Sequence, residues 1–363
     1  MKKPFVLLLL FYLSCTLIFA QIPPGYYDSA EGLSGQALQA ALHNIIRDHN
    51  SVDYSTLYFW FETTDKKSDN SVWDMYSDIP GGTPPYVYYY NMGEECGNYD
   101  SEGDCFNREH SWPNSWFGGE VYPMYSDLFM VYPTDGYVNN RRSNYPYGQV
   151  QTAGWTSQNG SKTGGCAWPG YSGTVFEPIE GYKGDFARTY FYVSTRYYTE
   201  DAGWPGSDMT TGSQLKPWAL DMMLHWNSED PVSQKETNRN NAVYPVQNNR
   251  NPFIDHPEFA YEIWGNPSAI RDENHPDFQL MICPNPASST CSIELPHEIN
   301  GNEITVTLKT ITGKSIQPGL SVQGQKITMD VRTLIPGIYL IILTSSPSHP
   351  VILSPVKLVV LPE

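Results

Sequence analysis

The chain has 363 residues, 40% of them hydrophobic and 14% aromatic, with a formal net charge of −17. That apolar content is enough to bury one large core or two smaller ones, and it excludes a collagenous or wholly disordered chain. The negative charge argues against non-specific attraction to a polyanion or an anionic membrane, so any nucleic-acid hypothesis needs a local cationic patch. The charge is also uneven. Residues 1–20 hold Lys2 and Lys3 and no acid, residues 278–363 balance five basic against five acidic residues, and the remaining −19 falls on residues 21–277.

Met1-Lys2-Lys3, the apolar run Pro4 to Phe19 and the small residue Ala20 before Gln21 predict an export signal over residues 1–20. The run is short for a membrane helix and polar, Pro-containing sequence follows it, so the mature chain is expected to have no membrane span. Export implies an oxidising destination. Cys96 with Cys105, and Cys283 with Cys291, would close short loops and leave Cys166 as an odd thiol. No Cys or His spacing points to a structural zinc site.

Behind Ser34 as a cap, Leu38, Leu42, Ile45 and Ile46 recur at helical spacing and predict a helix over Gly35 to His49. The chemistry-bearing stretch follows. It runs Asn107-Arg108-Glu109-His110-Ser111-Trp112-Pro113, and then Asp127-Leu128-Phe129-Met130 through Asn139-Asn140-Arg141-Arg142-Ser143-Asn144. Pro133 and Gly136 mark a bend before a helix predicted over Tyr137 to Tyr145, with Pro146 ending it.

Glu109 is a hard oxygen donor, Asn139 an amide oxygen donor, and His110 a base that is neutral near physiological pH. One carboxylate and one amide suit Mg²⁺, which keeps several waters; Ca²⁺ or Mn²⁺ accept the same oxygens. A nearby imidazole free of the metal deprotonates a water, a combination suited to phosphodiester hydrolysis. Neighbours on a regular strand point to opposite faces, so Glu109 and His110 serve one site only at a strand end, bulge or bend. On the helix, Asn139, Arg142 and Ser143 share a face, and Asn144 points elsewhere, bracing a loop.

Further along, Gly184 to Tyr198 and Lys216 to Trp226 read as helices, the second with Pro217 at its start. Asp185 and Arg188 read as a first-turn acid and a tie between elements. Asn249-Arg250-Asn251 reads as a loop whose side chains satisfy backbone groups. From residue 278 the composition changes: Ile304–Leu308, Ile327–Val331, Ile338–Leu343 and Val356–Val360 are β-branched runs punctuated by Gly and Pro, the pattern of a small β-sandwich.

The stretch Arg108-Glu109-His110-x-x-Pro113-x-x-Trp116-Phe117, with Asp127-Leu128, Pro133, Gly136, Val138-Asn139 and Arg142-Ser143-Asn144, resembles the bacterial endonuclease I family. Phe176-Glu177-Pro178, Lys183 to Arg188, Asp230 to Ser233 and Asn249 to Phe253 extend the likeness to about residues 30–265. The resemblance implies an α+β catalytic domain of the ββα-metal nuclease class. It also implies His110 as general base, Glu109 and Asn139 as metal ligands, and cleavage of DNA, often RNA, with little sequence preference and 5′-phosphate products.

Two departures stand out. Phe129-Met130 replaces the His-Asn of many relatives, and residues 111–126 contain no Arg or Lys where some relatives place a phosphate-binding Arg. Arg142 is the first choice to replace it, with Arg108, Arg141, Arg188 and Arg250 as further candidates to face substrate. The C-terminal module, through Pro284-Asn285-Pro286-Ala287, Gly313-Lys314 and Pro336-Gly337-Ile338-Tyr339, resembles the type IX secretion sorting domain. The expected organisation is a signal over 1–20, a catalytic domain over 21–277 and a sorting domain over 278–363. The expected partners are nucleic acid and the type IX machinery, and the protein is expected to act as a monomer, secreted or at the cell surface. Aromatic, acidic composition keeps two rivals open: a glycoside hydrolase, which needs two carboxylates across a sugar, and a glycan-binding adhesin.

Overall fold

A computed structural model describes residues 22–265, 282–295, 304–310, 314–345 and 352–361. The export signal and the boundary expected at residue 278 lie outside them. The chain divides into two units, Met1–Asn266 and Pro267–Glu363.

The first unit is α+β. It opens with helix α1 (Gly35–Ile46), whose Leu38, Leu42 and Ile46 are buried one turn apart. Ser34 takes the N-cap position with extended backbone, but its hydroxyl makes no capping bond. Helix α2 (Leu57–Thr64) leads to an antiparallel pair, β1 (Phe106–His110) with β2 (Val131–Asp135), in register Asn107 to Thr134 and Glu109 to Tyr132. Helix α3 (Gly136–Arg142) follows at once. Asp135 caps it by accepting from the backbone N–H of Val138. The helix stops at Ser143, whose φ of 52° breaks the helical path, so Ser143, Asn144 and Tyr145 lie beyond it and not on it as the sequence predicts. Strands β3 (Val150–Thr156), β4 (Lys162–Cys166) and β5 (Thr174–Glu177) form a three-stranded antiparallel sheet.

Helix α4 (Lys183–Arg196) is buried along its whole length and forms the spine of the unit. Around it lie the small hairpin β6 (Thr210–Thr211) and β7 (Gln214–Leu215), then α5 (Pro217–Glu229), α6 (Gln234–Gln247), α7 (Pro252–Asp255) and α8 (Phe259–Trp264). Helix α6 escaped the sequence reading because its buried face is polar. It buries Lys235, Glu236, Arg239, Asn240 and Gln247, which pair with Asp185, Arg188 and Asp65 among others. Its one legible signal is the capping box of Ser233 and Glu236.

The second unit contains β8 (Ile282–Cys283), β9 (Thr290–Glu294), β10 (Ile304–Thr310), β11 (Ser315–Ile316), β12 (Gly319–Gln323), β13 (Lys326–Asp330), β14 (Gly337–Ser345) and β15 (Ile352–Val360). They form two sheets, ordered β11-β10-β14-β15 and β12-β13-β9-β8. Ile293, Ile327 and Met329 from one sheet share a core with Val306, Leu308, Ile341 and Leu358 from the other. Alternation of apolar residues thus builds the expected sandwich.

Of the two short disulfides considered, Cys96–Cys105 is present and Cys283–Cys291 is not. Cys283 lies opposite Ser292, so Cys291 is one place out of register and its side chain turns to the other face. Cys291 is buried and Cys283 exposed. Among the described residues no helix is long and apolar enough to cross a membrane.

Candidate active site

Strand alternation splits β1 in two. Asn107 and Glu109 face α3, while Arg108 and His110 face the opposite side. Two cross-links tie β1 to α3. Asn139 donates through Nδ2 to Asn107 Oδ1 at 2.7 Å, and one helical turn on, Arg142 Nη1 meets Glu109 Oε1 at 3.2 Å. The Tyr76 hydroxyl also donates to Glu109 Oε1, at 2.8 Å, and bonds the Tyr147 hydroxyl at 2.8 Å. Glu109 is buried, and burial pushes its carboxyl up to about 7, against the opposing pull of Arg142 and Tyr76.

His110 ends the strand on the other face. Its ring stacks on Tyr125 and Tyr54, with centroids at 5.2 and 5.7 Å. Nε2 lies 3.0 Å from the Tyr125 carbonyl oxygen. A carbonyl only accepts, so Nε2 carries the proton and Nδ1 keeps its lone pair. Burial pulls the imidazole down to about 4, with Arg108 and Arg142 acting in the same sense, and it is therefore neutral at pH 7. The side chain retains partial exposure.

The arginines sort by burial. Arg108 is partly exposed, donates to the Tyr54 carbonyl and lies 3.9 Å over the Tyr54 ring. Arg141 is exposed, donates to the Tyr137 hydroxyl and leans over Trp155. The other three are buried among protein partners, Arg188 as the tie between elements that the sequence suggests. Arg142 is 1% exposed; besides Glu109 it binds the carbonyls of His110 and Ser111. Arg188 is 0% exposed and held by Glu236, Asn227 and the Asp230 carbonyl. Arg250 is 1% exposed and doubly bonded to Asp255. A guanidinium so enclosed ties elements together. Asp185 is buried against Lys235 at 2.7 Å, while Asn144 is exposed at the end of α3.

Several partners were illegible in the sequence. Asn107 carried a signal, since it lies two places before Glu109 and must share its face. Tyr76, Tyr147 and Tyr190 carried none, because nothing local marks a tyrosine that will pack on a remote carboxylate. Beneath the hairpin, Asp74 accepts the N–H groups of Tyr76 and Asp135. Burial and the Asp135 carboxylate push Asp74 up to about 7.

Such a carboxyl holds its proton in the folded chain while the unfolded chain has released it. Its stabilisation is fully present below about pH 4 and is lost as pH rises through about 7. Glu109 has the same sign. Thermal or urea unfolding in chelator is therefore expected to show stability falling from pH 6.5 to 8.5, by about 1 kcal/mol for each of these two groups. The lowered histidines His49 and His110 act in the opposite sense and offset part of this fall near pH 6.5, where the unfolded imidazole is still half charged, but little of it above about pH 7.5. Stability that rises across this window would contradict the assignment.

Among the described residues, no three His, Cys, Asp or Glu side chains converge to hold a metal ion. Mg²⁺ does not demand that. It takes one or two carboxylates, prefers oxygen and keeps waters. Glu109 and Asn139 supply such oxygens from adjacent cross-links between one strand and one helix. Asn107 holds Asn139 by its amide nitrogen, so the Asn139 amide oxygen takes no part in that bond. The donor set fits a hard dication.

The model of the family described as Endonuclease I matches residues 34–258, and that described as Secretion system C-terminal sorting domain matches residues 281–352. The chain is 36% identical over 246 residues to an extracellular ribonuclease of Bacillus amyloliquefaciens, covering 66% of this chain and 78% of that protein. It is 34% identical over 254 residues to an extracellular ribonuclease of Bacillus subtilis, with the same coverage. It is 27% identical over 130 residues to an endonuclease-1 of Buchnera aphidicola from Baizongia pistaciae, covering 36% of this chain and 46% of that protein.

Proposed function

Because the chain belongs to the endonuclease I family, matched over residues 34–258, we propose that it is a secreted, divalent-metal-dependent endonuclease. It hydrolyses phosphodiester bonds of DNA, and of RNA, with little sequence preference, and leaves 5′-phosphate ends. The observation that carries the mechanism is the 3.0 Å approach of His110 Nε2 to the Tyr125 carbonyl, which assigns the proton to Nε2 and makes Nδ1 the base.

His110 stands at the end of β1, the position from which it and Glu109 on the opposite face serve one phosphate, and its Nδ1 takes a proton from the water that attacks phosphorus in line. Glu109 and Asn139 would hold Mg²⁺, which supplies charge neutralisation at the cleaved phosphate and the departing oxygen. Arg142 orients Glu109 and braces the carbonyls of His110 and Ser111. Arg108 and Arg141, the arginines of this region that keep exposed surface, meet flanking phosphates. They provide the local cationic patch that an acidic domain needs. The names of the Bacillus relatives support RNA as a substrate class. The sorting-domain match supports delivery to the cell surface or medium by type IX secretion.

Plasmid DNA incubated with the protein and Mg²⁺ is expected to be nicked and then degraded, and EDTA is expected to stop it. Degradation that is indifferent to EDTA would overturn the metal requirement. Release of sugars without nicking would favour the glycoside hydrolase, and glycan retention without nicking the adhesin. Glu109→Gln keeps the shape and removes the charge. By calorimetry it is expected to weaken Mg²⁺ or Mn²⁺ binding about 10- to 100-fold, and an unchanged affinity would remove Glu109 from the ligand set.

A further inference from the structure

Beyond the end of α3 the first unit holds a cavity of about 630 Å³. It lies in the size range of ligand sites, roughly 300–1,000 Å³. Trp116, Asn144, Tyr145, Tyr171, Ser207 and Asp208 line it. Four separate segments of chain therefore meet there.

The cavity's walls are tied to the segments that carry the residues assigned to cleavage. Asn144 and Tyr145 follow Arg142, and the Tyr145 N–H closes back on the Arg142 carbonyl at 3.2 Å. The wall carrying Ser207 is pinned to the His110 segment, because the Gly206 N–H donates to the Trp116 carbonyl at 3.0 Å. Phe117, next to Trp116, has its ring centroid 6.2 Å from that of His110.

The chemistry of the lining selects a ligand. Tyr145 is 41% exposed, a large aromatic surface left to solvent. Tyr171 is stacked on Trp218 with centroids 4.7 Å apart and 11° between planes, which makes it a rigid platform. Its hydroxyl donates to Asp208 Oδ2 at 3.0 Å. Among the described residues no Lys or Arg lines the cavity, and Asp208 repels phosphate. A flat, uncharged group with N–H donors on its edge suits two tyrosines and a carboxylate, and a nucleobase is such a group.

We propose that this cavity is a base-binding subsite: it takes one unstacked nucleobase of a single-stranded nucleic acid whose backbone passes His110. The inference rests on the nuclease reading above. A duplex keeps its bases stacked and paired and does not offer one to the site. The subsite therefore makes the enzyme favour single strands, RNA or DNA, over duplex.

The test uses the full mature protein and its Tyr145→Ala and Tyr145→Phe variants. Tyr145 is a surface side chain beyond the helix, so folding is not at stake. Binding of a single-stranded DNA dodecamer and its RNA counterpart is measured in EDTA at low salt, independently of turnover. Tyr145→Ala is expected to weaken both about tenfold, the effect of removing one stacked ring, and Tyr145→Phe is expected to restore them. With Mg²⁺, the ratio of kcat/KM on single strands to that on duplex is expected to fall by about the same factor in Tyr145→Ala.

Equal dissociation constants for wild type and Tyr145→Ala would overturn the subsite, even with cleavage intact. So would a loss that Phe does not restore, or a cavity that retains oligosaccharide in place of the dodecamers. A wild-type protein that binds the dodecamers through Tyr145 but cleaves nothing would instead sink the nuclease reading and leave the subsite standing.

Discussion

His110→Ala is expected to lower turnover of DNA about 10²- to 10⁴-fold, the usual contribution of a positioned general base. Binding, measured with the same DNA in EDTA, is expected to change by less than about twofold, because the imidazole makes no charged contact with a phosphate in its neutral form. The neutral form follows from the site itself. The rings of Tyr54 and Tyr125 desolvate the imidazole and pull it down to about 4. Nε2–H donates to the Tyr125 carbonyl, so Nδ1 carries the lone pair that alanine removes, along with the ring stacked on Tyr54 and Tyr125. Added imidazole is expected to restore part of the rate. Turnover within about threefold of wild type would place the base elsewhere.

Arg142→Ala is expected to destabilise the first unit by about 3–5 kcal/mol, the cost of breaking a buried ion pair from one side. Arg142 is 1% exposed and Glu109 is 2% exposed, so above the value of about 7 to which burial raises Glu109 the stranded carboxylate has no water to turn to, and below it the carboxyl takes up a proton and the loss is smaller. The Ser111 and His110 carbonyls lose their donor at the same time, although Tyr190 still donates to Ser111 at 2.8 Å. Urea unfolding checks the magnitude. The result also separates two roles. A phosphate clamp would lose activity at unchanged stability, whereas a brace loses stability first, and Arg142→Lys recovers only part because a single ammonium cannot reproduce the fork. Unaltered stability in Arg142→Ala would contradict the observed burial.

Local signals carried much of the architecture. Leu38, Leu42 and Ile46 announce α1, Pro217 opens α5, and the β-branched runs after residue 303 become β10, β13, β14 and β15 within a residue or two at most ends. The period-2 alternation around Glu109 was readable too, and it holds: Glu109 turns to α3 and His110 away from it. Helix α6 was not readable, because hydrophobic periodicity cannot find a helix that buries Lys235, Glu236 and Arg239. The end of α3 was placed too late, because the left-handed turn at Ser143 has no Gly or Asn to mark it.

By itself the sequence determined which residue types stand together along the chain: a carboxylate beside an imidazole, an amide on the following helix, an aromatic catalytic part and a β-branched tail. Those properties are local, written within a turn of helix or a few residues of strand. Only the tertiary structure decided how each charge is used. Arg142, Arg188 and Arg250 are all candidate substrate cations in the chain, and all three are enclosed by partners 5 to 48 residues distant. Burial and pairing are set by whatever the rest of the fold brings alongside, and no residue's immediate neighbours encode that.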